Sequence, residues 1–148
     1  MKNKVILPLI IILLLISCER LSDLFDVGVD QIKFGDCKTN FKKSENSERI
    51  EYKTVDRKYL QIKHINALFN CEPGKLLVDV DQVNDTIFVD ENEKQSIANC
   101  ICPYDLCYRI GPIDYGDYII KFQRDGILFA ELIVNFNSTT LGIFEINK

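Results

Sequence analysis

Alternation of apolar and polar residues with a period of two, repeated after Arg49, constrains the fold of this chain more than any other feature. Residues 76–81 place Leu or Val at every second position, which is the pattern of a half-buried strand. Asp125-Gly126 separates two such segments and is a strong signal for a β-hairpin turn. No twelve-residue segment beyond the first 17 residues has helical spacing, so the sequence predicts an all-β fold.

The predicted strands are short, rich in β-branched and aromatic residues, and bounded by turn signals. They cover residues 50–55, 59–69, 76–81, 86–89, 118–122, 128–136 and 141–146, with residues 29–34 as an optional early strand. Pro103-Tyr104-Asp105 is interpreted as a turn inside a rigid loop. Seven or eight strands in about 100 residues favour an antiparallel β-sandwich.

A glycine followed by a tyrosine at the start of a predicted strand, Gly116-Asp117-Tyr118, resembles the tyrosine corner of immunoglobulin-like domains. The resemblance implies that the Tyr118 hydroxyl bonds back to nearby backbone, and that the fold is an immunoglobulin-like sandwich of about seven strands. The alternative is a plain glycine turn followed by a surface tyrosine. The chain has no tryptophan, which excludes an antibody-type core.

The N-terminal segment has the layout of a secretory signal. Lys2 and Lys4 precede an apolar run over residues 5–16, and the small Ser17 follows. The run has roughly a dozen residues and contains Pro8, whereas a membrane-spanning helix needs about 20 apolar residues. An ordinary signal peptide and an N-terminal transmembrane anchor are the alternatives to the lipoprotein signal described next.

Leu15-Ile16-Ser17-Cys18 resembles a bacterial lipobox. The resemblance implies cleavage between Ser17 and Cys18, and a Cys18 that carries a thioether-linked diacylglycerol and an amine acylated with palmitate. This covalent lipid is the only cofactor we expect. Two or more acyl chains give stable anchoring, so the membrane is an expected partner through the lipid alone.

Three regions are predicted along the chain. Residues 1–17 form the lipoprotein signal peptide, residues 18–48 the lipidated cysteine and a flexible tether, and residues 49–148 the β-sandwich domain. The tether is inferred from the polar run at residues 42–48, which cannot bury enough apolar surface to order itself. The mature chain then has 131 residues, which is the usual size of one domain.

The charge of the chain limits its partners. The signal segment contains two of the 18 basic residues and none of the 22 acidic ones, so the mature chain has a formal charge of about −6. Nucleic-acid binding requires clustered Lys and Arg, so we expect no nucleic-acid partner and no polybasic membrane patch. An envelope protein or a glycan is the remaining expected kind of partner.

Five cysteines remain after lipidation: Cys37, Cys71, Cys100, Cys102 and Cys107. In an exported protein disulfides are the first explanation, and the odd number leaves at least one thiol over. Sequence alone does not select the pairing. The favoured pair joins Cys71 to Cys100 or Cys102, and the entropy of closing a loop of about 30 residues would stabilise the fold by roughly 3 kcal/mol.

A metal-binding or thiol-redox site is the alternative use of these cysteines. Cys71, Cys100, Cys102 and Cys107, or a set that includes His64, provide four soft ligands. The spacing argues against zinc, because neighbouring zinc ligands usually have two to four residues between them, and Cys100 and Cys102 have only one. Disulfides or inert thiols are therefore preferred to a metal.

His64 is the only histidine of the chain, and its strand phase matches Leu60, Ile62, Asn66 and Leu68. A lone histidine on an apolar strand face is usually a hydrogen-bonded structural residue. No nucleophile elbow, phosphate-binding loop or dinucleotide fingerprint accompanies it, so the chain is predicted not to be an enzyme; a cysteine hydrolase is the catalytic alternative.

Three acidic residues near the second hairpin resemble a calcium loop only in part. Asp79 and Asp81 alternate with apolar residues, Asp85 follows, and the glycine that such a loop requires is missing. We interpret them as surface charge.

Several motifs together resemble small uncharacterised envelope lipoproteins of Bacteroidota. They are the lipobox, the polar tether, residues 63–66, 69–71 and 99–106, and Gly116-Asp117-Tyr118. The resemblance implies an immunoglobulin-like fold and anchoring to the outer membrane, on its periplasmic or its surface side. Asp85-Thr86-Ile87 also resembles that phylum's O-glycosylation site, with Thr86 as the candidate residue. The expected function is a non-catalytic binding or structural role in the cell envelope.

Overall fold

The computed structural model describes residues 27–39 and 47–146. The predicted signal peptide, its cleavage site and the lipidation site at Cys18 lie outside the described residues. All nine secondary-structure elements in these residues are β-strands. None of the described residues belongs to a helix long and apolar enough to cross a membrane.

Nine strands make up the described structure, which confirms the all-β prediction. They are β1 (Gly28–Phe34), β2 (Arg49–Val55), β3 (Tyr59–Asn70), β4 (Lys75–Val83), β5 (Thr86–Lys94), β6 (Ile101–Gly111), β7 (Gly116–Arg124), β8 (Ile127–Phe136) and β9 (Leu141–Glu145).

The strands form two sheets. One has five strands in the order β1-β6-β3-β2-β9, and the other has four in the order β4-β5-β7-β8. All pairs are antiparallel except β5 and β7, which run parallel. Two sheets around one core agree with the predicted sandwich, but the described residues contain nine strands where about seven were expected, and one sheet is mixed.

The core lies between the two sheets. Alternate residues of the strands point inward, as the period-two pattern requires, and both sheets contribute fully buried side chains. The largest of these are Phe69 and Tyr108 from the five-stranded sheet and Phe122 and Phe136 from the four-stranded sheet. The core is therefore aromatic without tryptophan.

β1 makes the folded region begin earlier than predicted. It pairs with β6 from Gly28, opposite Gly111, to Phe34, opposite Leu106. The Lys38 amide then donates to the Pro103 carbonyl at 3.0 Å. β1 therefore agrees with the optional early strand predicted over residues 29–34, and residues 28–38 of the segment predicted as a tether are hydrogen-bonded along β6. Residues 18–26 and 40–46 of that segment lie outside the described residues.

The prediction of a turn at Pro103-Tyr104-Asp105 was wrong. These residues are part of β6, an 11-residue strand between β1 and β3. The N–H and C=O of one strand residue point to the same side. Because the Pro103 carbonyl accepts from Lys38, the missing proline N–H faces that segment and not the ladder with β3. A proline is tolerated there.

A bulge in β3 shifts the side-chain phase. The register with β6 slips between His64 and Ala67, and Asn66 has a positive φ of 60°. Ala67 and Phe69 are consequently buried, so the prediction that Leu68 shares the His64 face was wrong.

Two predicted turn features are present. Asp125 and Gly126 have φ values of 51° and 73°, and left-handed backbone at both positions is the geometry of a two-residue hairpin. The Tyr118 hydroxyl donates to the Asp114 carbonyl at 3.0 Å, as a tyrosine corner requires.

Candidate functional site

His64 lies at the centre of a group of polar side chains enclosed between the sheets. Its side chain has no solvent exposure. Nδ1 lies 2.6 Å from Glu91 Oε2, and Nε2 lies 3.1 Å from Glu48 Oε1. The imidazole also stacks on Phe129, with ring centroids 5.5 Å apart. Both ring nitrogens therefore face carboxylates, an arrangement that suits a doubly protonated imidazolium.

Tyr108 and Arg124 complete the group. The Tyr108 hydroxyl donates to Glu91 Oε1 at 2.6 Å, so each Glu91 carboxylate oxygen has a close partner. Arg124 Nη2 lies 3.7 Å from Glu91 and 3.9 Å from Glu48. We call Glu48, His64, Glu91, Tyr108 and Arg124 the buried charge cluster.

Arg124 is held mainly by a hydrogen bond to a backbone carbonyl and by packing on two aromatic rings. Its Nη1 donates to the Leu68 carbonyl at 2.7 Å, whereas Nε and Nη2 are buried without a hydrogen-bond partner among the described residues. The guanidinium lies 4.1 Å from the ring centroid of Phe69 and 5.0 Å from that of Phe129. The aromatic faces and the nearby carboxylates therefore stabilise its charge.

Contacts within the cluster shift the pKa values of three of its members. Burial alone would lower the pKa of His64, but the charges and hydrogen bonds of Glu91 and Glu48 raise it to about 9. Burial would raise the pKa of Glu91, but His64 and the Tyr108 hydroxyl hold it below its ordinary value. Burial and the Glu91 carboxylate raise the pKa of Tyr108 well above its ordinary value. Two cations, His64 and Arg124, thus face two carboxylates.

Strand phase explains why these charges lie inside. Glu91 follows the buried Ile87 and Val89 at every second position of β5, and His64 follows Leu60 and Ile62 on β3. A buried charge is tolerated only when it is paired and hydrogen-bonded. The cluster therefore favours the one stacking of the sheets that brings β3 against β5.

Three members of the cluster are closed to solvent in the described structure. The side chains of His64 and Glu91 are fully buried, as is Tyr108, so a substrate in solvent has no contact with them. A general acid or base must lie within hydrogen-bond reach of its substrate. The arrangement instead joins the two sheets electrostatically, in line with the predicted structural role of His64.

Four of the cysteines lie at one end of the five-stranded sheet, and Cys107 lies in the middle of β6. Cys37 pairs with Cys102 and Cys71 pairs with Cys100, each pair at disulfide distance with Cα atoms 5.6 Å apart. Of the two partners considered for Cys71, the structure selects Cys100. Cys107 has no disulfide partner among the described residues and is partly exposed.

The predicted metal ligands are not brought together. Four of the cysteines are used in pairs and provide no thiolate, while His64 lies between two glutamates. Residues 27–39 and 47–146 contain no group of three or more His, Cys, Asp or Glu side chains placed to hold a metal ion.

The remaining candidates lie on the surface. Thr86 opens β5 opposite Val83 and is partly exposed. Asp79, Asp81 and Asp85 are exposed, which agrees with their interpretation as surface charge.

The sequence pointed to His64 but to none of the four other members of the buried charge cluster. The β5 prediction ended at Val89; continued by one period, the same alternation places Glu91 on the core face. A glutamate on the core face of one strand and a histidine on the core face of another can then be predicted to pair, because an unpaired buried charge is strongly destabilising. The sequence carried no comparable signal for Glu48, which precedes its strand, or for Arg124 at the end of β7.

Comparison with known proteins returned no similarity: no protein-family model, no curated protein and no solved structure matches the chain.

Proposed function

We propose that this chain is a lipid-anchored protein of the bacterial cell envelope, held at the outer membrane through Cys18, with a non-catalytic binding or structural role. The proposal combines the lipobox-like Leu15-Ile16-Ser17-Cys18 with the chemistry of the folded body. Its partner is an envelope protein or a glycan.

The pairing of the cysteines is the observation that carries the proposal. Disulfides persist in oxidising compartments and are rare in the cytosol, where thiols are kept reduced. Two pairs at disulfide distance in a domain of this size support export. The N-terminal signal supports the same compartment independently.

A non-catalytic role is supported by the enclosure of the titratable groups. The groups whose pKa values move most, His64, Glu91 and Tyr108, are buried and satisfy one another. Recognition by such a body then uses its surface, and β-sandwiches commonly serve that purpose, an argument from fold analogy alone.

An immunoglobulin-like relationship of the sandwich is part of the proposal. The hydrogen bond from Tyr118 to Asp114 supports it, because the tyrosine corner is a local feature of that fold. The parallel pairing of β5 with β7 is a departure from the antiparallel sheets of immunoglobulin domains.

The anchor is tested by a Cys18→Ala variant and by globomycin, an inhibitor of lipoprotein signal peptidase. We expect both to leave uncut precursor, and acyl labelling and detergent-phase partition of a mature form to be lost. Cys107→Ala is the matched control, since Cys107 has no disulfide partner within residues 27–39 and 47–146. Processing and partition that are indifferent to both treatments would overturn the anchor.

The binding role is tested by affinity capture from detergent-solubilised envelopes, with the Cys18→Ala protein as the comparison. We expect a reproducible envelope partner at stoichiometric yield with the lipidated protein. The absence of any such partner argues against a binding role.

A further inference from the structure

Four strands form the outer edges of the two sheets: β1 and β9 in one, β4 and β8 in the other. An edge strand exposes unpaired backbone N–H and C=O groups, and proteins protect such edges with bulges, short strands or charges. β1 has a register shift between Asp30 and Lys33, β9 has only five residues, and β4 exposes Asp79 and Asp81. Three of the four edges are therefore protected.

β8 is the least protected of the four edges. It has a register shift between Leu128 and Ala130, but from Ala130 to Phe136 its register with β7 is regular, and Glu131 is the only charged residue in its ten. Over this stretch its outward side chains are Glu131, Ile133 and Asn135, and Ile133 is 80% exposed. In the part of the chain that the structure describes, no strand pairs with its outer side.

We propose that β8 is the site at which two copies of this chain associate, edge to edge and antiparallel, about a twofold axis at Ile133. The pairing joins two four-stranded sheets into one continuous sheet of eight strands. A twofold interface is closed, so the association stops at a dimer.

The sequence of β8 is complementary to itself in this register. With the axis at Ile133, that isoleucine faces its own copy, and Glu131 faces Asn135 of the second copy. An axis at Glu131 instead opposes two carboxylates, which is unfavourable for directly facing residues. An axis at Asn135 pairs fewer strand residues, because β8 ends at Phe136. The register with the axis at Ile133 avoids like charges and pairs residues 130–136, the stretch in which β8 is regular.

The neighbouring strand, β7, contributes a second isoleucine to the proposed interface. Ile119 on β7 is the direct partner of Ile133 and is also exposed on the outer face of the sheet. Association about the axis aligns Ile119 and Ile133 of one copy with Ile133 and Ile119 of the other. The four isoleucine side chains form a row that is removed from water. This apolar burial stabilises the dimer in addition to the backbone hydrogen bonds.

The dimer is tested by sedimentation of the full chain in mild detergent, with Ile133→Lys as the disrupting variant. Two lysines across the axis repel, so we expect the dissociation constant to rise by at least about tenfold. Ile143→Lys is the matched control, because Ile143 is also an exposed outer-face isoleucine on an edge strand, β9. It leaves the dimer intact.

A charge exchange tests the register. Ile133→Glu alone also dissociates the dimer, whereas an equimolar mixture of Ile133→Lys and Ile133→Glu places opposite charges across the axis and restores it. Both variants are expected to fold, since the Ile133 side chain is exposed in the single chain. A monomeric wild-type protein, equal effects of the β8 and β9 variants, or a mixture that stays monomeric overturns the proposal. Failure of lipidation leaves it unaffected, because β8 lies in the folded body.

Discussion

His64 and Glu91 illustrate how a folded core accommodates charge at the scale of single residues. Each is fully buried, and each satisfies the other at 2.6 Å. Replacing such a pair with apolar residues is often neutral, but removing one partner leaves a buried charge uncompensated. The pair therefore matters most when only one of its members changes.

The free energy of unfolding is expected to fall as pH rises from about 6.5 through about 9. The folded pKa of His64 is raised from 6.5 to about 9, so the imidazolium stabilises the fold fully below pH 6.5 and loses that effect as it deprotonates near pH 9. The loss amounts to a few kcal/mol. Urea unfolding at a series of pH values measures it.

Glu91→Gln is the variant that assigns this pH dependence to the cluster. It removes the main charge that raises the pKa of His64, so we expect lower stability at pH 7 by about 3 kcal/mol and a shallower decline at higher pH. Glu51→Gln makes the same change in a partly exposed pair with Arg49, 2.9 Å away, and is expected to keep the wild-type profile within about 0.5 kcal/mol. Identical pH profiles for Glu91→Gln and the wild-type protein would contradict the assignment.

At the scale of strands, much of the fold could be predicted from alternation and turns. β2, β3, β4 and β8 agree with their predicted ranges to within a few residues, and Asp125-Gly126 marked the β7–β8 hairpin correctly. β6 could not be predicted because Pro103 signals a turn locally, while pairing on both of its sides decides the outcome. Tertiary pairing overrode local propensity there.

The candidate site was predictable to a smaller extent. The phase of β3 placed His64 in the core, but its partners come from other strands that the sequence does not align with it. The bulge at Asn66 reverses the phase within one strand, and no turn or glycine signal announces it. Register between sheets is set by packing of the whole core, which is why local patterns did not reveal it.

The backbone at Gly111, the last residue of β6, gives a prediction about stability at the scale of one strand. Gly111 has a φ of +151°, and a Cβ there would lie 2.6 Å from the Lys58 carbonyl oxygen. Gly111→Ala is therefore expected to lower stability by about 1–3 kcal/mol. Thermal and urea unfolding measure the change.

Gly28 is the matched control, because it pairs directly with Gly111 across the β1–β6 ladder. A Cβ at Gly28 meets nothing within 4 Å. Gly28→Ala is expected to stay within about 0.5 kcal/mol of the wild-type protein. Equal stability of the two variants would show that the backbone at Gly111 relaxes without cost.

At the scale of the whole molecule, the two cysteine pairs restrict the unfolded chain to different extents. Cys37–Cys102 spans 65 residues and Cys71–Cys100 spans 29. Loop-closure entropy predicts that Cys37→Ala with Cys102→Ala costs about 4 kcal/mol, and the other double variant about 3.5 kcal/mol. Urea unfolding of non-reduced protein, with intact mass as a check on both bonds, measures these losses.

Cys107→Ala provides the comparison, since it removes a sulfur outside both pairs, and a change of less than about 1 kcal/mol is expected. A Cys37→Ala/Cys102→Ala protein as stable as the Cys107→Ala protein would show that the longer link does not restrict the unfolded chain.

The position of Cys37 also determines how the body responds to mechanical load. The first described residue, Val27, lies at the Gly111 end of β6, whereas Cys37 is bonded to Cys102 near the other end of that strand. Tension applied ahead of Val27 can peel away β1, but the covalent bond then carries the force. Release is limited to about ten residues, roughly 35 Å of extended chain, and the force then passes directly to Cys102, so β2 to β5, which lie between the two cysteines, cannot be extended by this route.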